Sequence, residues 1–182
     1  MLFTHDTEVN LSFLAALLDT APGASESGDD ELATPEQLAA LITRARFTGR
    51  IDHDARELRE VRGVRADVRA VWGHDENVVV AWVNDTLADA RAVPRLVDHD
   101  EVGWHIHASS PDAPLAERMR VEAAMAFIDV IRAERLDRLR ECEADDCVGV
   151  FVDLSKNGSK RFCSTRCGNR MAVRAYRARV GG

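Results

Sequence analysis

All four cysteines of this 182-residue chain fall in one stretch, CEADDCVGVFVDLSKNGSKRFCSTRC, from Cys142 to Cys167. Their order is C-x4-C-x15-C-x3-C. The segment that holds them is short, and domains below about 40 to 80 residues usually need a metal or a disulfide staple to fold. The opening residues, MLFTHDTEVN, lack the basic and apolar regions of a signal peptide. No apolar run approaches the roughly 20 residues that span a bilayer. A cytoplasmic location, no membrane and a reducing compartment are therefore expected, where clustered thiols read as a metal site rather than as two bridges.

The spacing supports that reading in detail. Structural zinc takes four tetrahedral ligands and favours thiolate. Cys142 and Cys147 sit in an acidic turn, and Cys163 and Cys167 are four apart, which places both on one side of a helical turn. Between the pairs, VGVFVDL reads as one strand and KRFC as its return, with Asn157-Gly158 as the hairpin turn. The predicted order is knuckle, β-hairpin, helix: a treble-clef-like module. A helix N-terminus beside the second pair would help hold thiolates. Four cysteines leave no open position, so the metal is expected to be structural rather than catalytic. An iron–sulfur cluster needs the same ligand count, and spacing alone does not separate the two.

Charge marks the same segment. From Ser155 onward there are eight cations and no acid, whereas the rest carries 16 arginines against 31 acidic residues, for a net charge of −7 overall. An acidic body with a basic end is the asymmetry expected of a polyanion-binding chain. At about 100° per residue, Arg166, Arg170, Arg174 and Arg177 share one face of a helix. Val173, Tyr176 and Val180 form an adjacent apolar strip that would seat this helix on the hairpin or on the rest of the protein. Lys156, Lys160, Arg161 and Arg179 extend the positive surface. Arg170 can serve either the thiolates or a phosphate, and Asn169 is read as bonding near the metal loop.

The stretch FCSTRCGNRMAVRAYRAR resembles the CGNR zinc-finger family, through Cys167-Gly168-Asn169-Arg170 and the preceding Phe151, Asp153, Ser155 and Phe162-Cys163-Ser164. Phe162 stands where many members have tryptophan. The resemblance spans about residues 139–180 and implies zinc as the metal. Members usually carry an N-terminal ABATE domain, described as a stress-induced transcription regulator. The chain's length and its EVNLSFL opening are consistent with one, although the usual L-D-x-x-N-T start is missing.

The remainder reads as a mainly helical domain with a small sheet, over residues 1–139, followed by the zinc module at 140–182. The fold class is α+β. Helices are predicted over 8–20, 35–47, 51–73 and 114–142. Thr34 and Gln37 form a capping box before the second of these, and Asp52-His53-Asp54 supplies the N-cap region of the third. The β-branched run VVVAWVN (78–84) predicts a strand, and EVGWHIHAS (101–109) a second, with His105 and His107 on the face opposite Trp104 and Ile106. The two histidines are read as surface or interface residues before metal ligands, and Trp72, Trp82 and Trp104 as core. No nucleophile–base pair, phosphate loop or dinucleotide fingerprint is present, so an enzyme is not expected.

Together these features predict a transcriptional regulator binding DNA through a four-cysteine zinc finger and basic helix. The N-terminal domain would sense a small-molecule effector or form a homodimer. The other reading is a zinc-stapled module that binds protein or RNA without recognising a DNA sequence.

Overall fold

The computed structural model describes residues 2–98 and 103–180. Helices α1 (His5–Leu18), α2 (Pro35–Arg44), α3 (Ala55–Val71) and α4 (Glu76–Asp89) are followed by strands β1 (Arg95–Asp98) and β2 (Trp104–His107). Then come α5 (Leu115–Arg132), β3 (Leu139–Glu141), β4 (Val150–Val152) and α6 (Thr165–Val180). A single 3-10 turn, Leu136–Arg138, leads into β3. The α+β class with a C-terminal cysteine module is as the sequence predicts.

Helix α5 is the central element. Its Leu115, Met119, Ala123, Phe127 and Val130 are buried among α1, α3 and α4. From α3, Leu58, Val61, Val64, Val68 and Val71 all point into this core, as their spacing predicts. Both expected N-caps form. Thr34 accepts from the Gln37 amide while the Gln37 side chain accepts from the Thr34 amide, and Asp54 accepts from the Glu57 amide.

Two expectations fail. Residues 78–84 are helical, inside α4, not a strand. Asp75 caps the helix by accepting from the Asn77 amide, and Val79 and Val83, four apart, bury against α5. A short apolar run does not distinguish the two periods, and packing against α5 outweighs the β-preference of valine. The helix predicted over 114–142 stops at Arg132. The Glu134 and Arg135 amides donate back to Ile131 O and Val130 O, with Glu134 at φ 55°. This is a Schellman stop with glutamate in the place usually taken by glycine. Arg46 ends α2 and Arg91 ends α4 in the same way.

The tryptophans divide. Trp72 is buried and donates its indole N–H to Arg140 O, and Trp82 is half-buried against Phe127. Trp104 is 74% exposed, so it is not part of the core. The second predicted strand exists as β2, paired antiparallel with β1. Its first two residues, 101 and 102, lie outside the described residues.

The cysteine module is hairpin-built, but with other strands than predicted. β4 pairs with β3, preceding Cys142, and not with residues 160–163. The first cysteine pair therefore lies in the loop of the hairpin. Asn157-Gly158 does form a turn, with Gly158 at φ 60°, but the chain returns from it as an irregular segment. That segment is held by the Glu143 amide bonding Arg161 O and the Lys160 amide bonding Asp153. Leu139, Val150 and Val152 belong to the same core as α1 and α5, so the hairpin is seated on the helical body.

Candidate metal centre and basic helix

Three pieces of local structure gather the thiols. The hairpin loop closes on the Cys142 amide bonding Gly149 O at 2.8 Å and the Cys147 amide bonding Ala144 O at 3.0 Å. The irregular segment brings Cys163 in. Ser164 then starts α6, its Oγ accepting from the Cys167 amide at 3.2 Å, which turns Cys167 back toward the others.

The sulfur atoms of Cys142, Cys147, Cys163 and Cys167 all lie within 4.8 Å of one another. Cys147 to Cys163 and Cys163 to Cys167 are both 3.7 Å. Sulfurs on a tetrahedral zinc with bonds of about 2.3 Å stand about 3.8 Å apart. The four thiols are thus positioned to bind one metal ion and fit zinc. Backbone donors point at the sulfurs: the Gly149 amide reaches Cys147 at 3.3 Å, and the Cys163 amide reaches Cys142 at 3.5 Å.

The thiols differ in acidity. Burial pushes Cys163 and Cys147 above the ordinary thiol range. Burial acts the same way on Cys167, but the Ser164 hydrogen bond and the neighbouring cysteines more than offset it and bring it below that range. A bound cation stabilises all four as thiolates.

Arg170 is turned toward the thiols. Its Nη2 donates to Cys167 Sγ at 3.3 Å and meets Asp146 at 2.8 Å. Asp146 also holds Arg174, at 2.7 Å. Burial raises the Asp146 carboxyl's pKa, but Arg170 and Arg174 outweigh it and leave the group below the usual carboxylate range. The other predicted cations are divided. Arg166 donates to Glu26 O, Arg161 pairs with Glu143, and Lys160 lies over the Phe151 ring. Lys156, Arg177 and Arg179 are exposed and, among the described residues, have no ion pair.

The apolar strip of α6 is not seated on the protein. Val173, Tyr176 and Val180 are all exposed, as is every described residue from Ala172 to Val180. The helix therefore leaves the body after its first two turns. Asn169 is also exposed.

Sequence reasoning missed Asp146, Arg138, Arg140 and Asp19. Arg138 donates to Asp153 O and Ser155 O, and Arg140 to Gly158 O and Lys160 O, so two arginines from the start of the hairpin hold the turn. Asp19, at the end of α1, accepts from the Val150 amide at 2.7 Å. Burial pushes its carboxyl up to about 6, against the lowering effect of that bond. The only signal for Asp146 is its position one residue before Cys147, in an acidic run facing a basic helix.

The fold joins a helical body to a hairpin that carries four cysteines positioned to bind a metal ion and to a projecting basic helix. The family described as "CGNR zinc finger" matches residues 138–180. The ABATE family, described as "Putative stress-induced transcription regulator", matches residues 11–134, and the chain belongs to it. Neither description is that of an enzyme family. No curated protein matches the chain in sequence. Among the described residues, no helix is long and apolar enough to cross a membrane.

Proposed function

We propose that this protein is a cytoplasmic transcriptional regulator that binds duplex DNA through α6, with structural zinc held by Cys142, Cys147, Cys163 and Cys167. The observation that carries the reading is the outer part of α6. It is exposed on all sides, contains no acidic residue, and presents Arg177 and Arg179, with Arg174 beside them held by Asp146. Arginines on an exposed helix suit phosphate contact, and the same residue type can read guanine in a major groove. The metal braces the first turns of α6, so the rest can be held out from an acidic body.

The deciding experiment is duplex binding by the zinc-loaded chain across a salt series. Arg177→Ala with Arg179→Ala should weaken binding and flatten the salt slope by about 2, because each arginine that neutralises a phosphate adds nearly one to that slope. No measurable affinity at low salt overturns the proposal.

A protein partner is the second reading, supported by the exposed strip of Val173, Tyr176 and Val180. The same strip could join two copies as a homodimer, which would double the DNA contacts. A small-molecule effector would act most directly in the cleft between the α1–α2 loop and the start of α6, lined by Glu31, Arg44 and Arg166 and running into the metal centre at Cys147, Cys163 and Cys167.

A further inference from the structure

The cysteine cluster is not covered equally on all sides. Cys142 and Cys167 are buried, whereas Cys147 and Cys163 are partly exposed. The cleft between the α1–α2 loop and the start of α6 is lined by Cys147, Cys163 and Cys167 but not by Cys142. A small molecule in that cleft therefore meets sulfur directly. The two partly exposed sulfurs, of Cys147 and Cys163, are 3.7 Å apart.

The sulfurs also differ in the donors they receive. Cys142 accepts from the Cys163 amide, Cys147 from the Gly149 amide and Cys167 from Arg170 Nη2. Among the described residues no N–H donates to Cys163, and its hydroxyl contact, Ser164 Oγ, is long at 3.9 Å. Bound zinc keeps every ligating thiol deprotonated, so protonation does not set the four apart. A donor that stabilises a thiolate also lowers its basicity, and with it its nucleophilicity. Cys163 is thus both reachable and the least tempered of the four.

We propose that Cys163 is an oxidation site, where a small two-electron oxidant of the hydrogen peroxide class enters the metal centre, and that Cys147 closes the reaction as a disulfide. The Cys163 thiolate attacks one peroxide oxygen, the O–O bond breaks, and hydroxide leaves, with Cys163 now a sulfenic acid. The Cys147 thiolate then attacks that sulfur, forms the S–S bond and expels a second hydroxide. Each hydroxide takes a proton from solvent, so two thiolates give up two electrons and one peroxide becomes two waters. The sulfurs close from 3.7 Å to about 2.05 Å. Cys167 is equally near Cys163, at 3.7 Å, but it is buried, bonded to Arg170 and built into the first turn of α6, whereas Cys147 lies on the hairpin loop. With two thiolates spent, Cys142 and Cys167 remain, too few to hold a structural zinc. Losing the metal removes the brace on the start of α6. This inference rests on the zinc reading of the centre and names the chemistry of an effector for its cleft. It does not depend on DNA binding.

The test uses the wild-type full chain, gel-filtered, with its zinc content measured first. A chain that holds no zinc at that point overturns the zinc reading, and this inference with it. The zinc-loaded chain is treated with hydrogen peroxide while a chromophoric chelator reports released metal. Dimedone traps sulfenic acid in a parallel sample, and non-reducing peptide mapping locates disulfides. Early dimedone labelling at Cys163, then a Cys147–Cys163 disulfide with about two thiols lost for each zinc released, supports the proposal. Dithiothreitol with added zinc should restore both thiols and metal. Zinc loss no faster with peroxide than with chelator alone overturns the proposal while leaving the zinc reading intact. First labelling at another cysteine, or a disulfide that leaves out Cys163, overturns it equally.

Discussion

Arg170 donates from Nη2 to the sulfur of Cys167 at 3.3 Å. The last residue of the CGNR motif thus serves the cysteine that begins it, one helical turn away. A zinc ion held by four thiolates leaves two formal negative charges on the centre, and a guanidinium on one sulfur offsets part of them. Partners of this kind typically change metal affinity by about 10- to 100-fold. Arg170→Ala should accordingly speed loss of zinc to a chelator by about that factor, with Arg170→Lys in between. A chromophoric chelator followed over time checks it, and equal release rates would count against the role.

Gly149 is fitted to the same centre from the other side. A Cβ there would lie 3.2 Å from each of three atoms: Asp19 Oδ1, Cys147 Sγ and Cys163 Sγ. None is the free end of a flexible chain, because Asp19 is bonded to the Val150 amide and the sulfurs converge on one point. Gly149→Ala should cost about 1 to 3 kcal/mol, as overpacking does, and should lower zinc affinity as well. Thermal melting and metal competition together measure both. A variant that melts with wild type and holds zinc as tightly would show that the site can shift.

Much of this centre was legible in the sequence, because four thiols at fixed spacing have few uses in a short segment. The caps at Thr34 and Asp54 were legible for a similar reason: each is a local bond between residues three apart. What escaped was settled over distance. Whether VVVAWVN forms helix or strand depends on α5, some forty residues later. The end of α5 carries no glycine signal, because Glu134 takes the left-handed position itself. The partner of β4 is β3 rather than the nearer return segment, and burying Leu139 and Val152 in the body's core favours that pairing. Arg174 looked available to phosphate because nothing in its helix opposes it. Its partner, Asp146, comes from the hairpin loop 28 residues earlier.

That partner makes a prediction about DNA. Asp146 holds Arg170 at 2.8 Å and Arg174 at 2.7 Å, so two of the cations nearest the metal are already partly neutralised. Asp146→Asn removes a negative charge from beneath the basic helix and releases Arg174. Duplex affinity at low salt should rise about threefold to tenfold, and the salt slope should steepen by about 1. Zinc content is measured alongside, since Arg170 loses the same partner. Unchanged affinity in a fully zinc-loaded variant would place Arg174 outside the binding face.

The last prediction concerns how the α1–α2 loop is held. Asp30 receives two bonds from Arg65, at 2.7 and 2.8 Å, and a third from Arg62 at 3.0 Å. The Arg65 hydrogen bond is the main cause, against the effect of burial, that brings the Asp30 carboxyl down to about 2. A carboxyl whose folded pKa lies below its unfolded value adds stability at pH values above the unfolded one. That stability is lost as pH falls through the folded value. The window here runs from about 4 down to about 2, and a shift of nearly two units corresponds to about 2 kcal/mol. Asp30→Asn should therefore destabilise the protein by about that amount at pH 7, and the gap from wild type should close across that window. Urea unfolding of both proteins at matched pH and zinc loading measures it. The same loop bonds the metal hairpin through Gly23 O and α6 through Glu26 O, so its loosening should also speed proteolytic cleavage near Gly28. A gap that persists unchanged at pH 2 would mean that the loss comes from packing and not from the carboxylate.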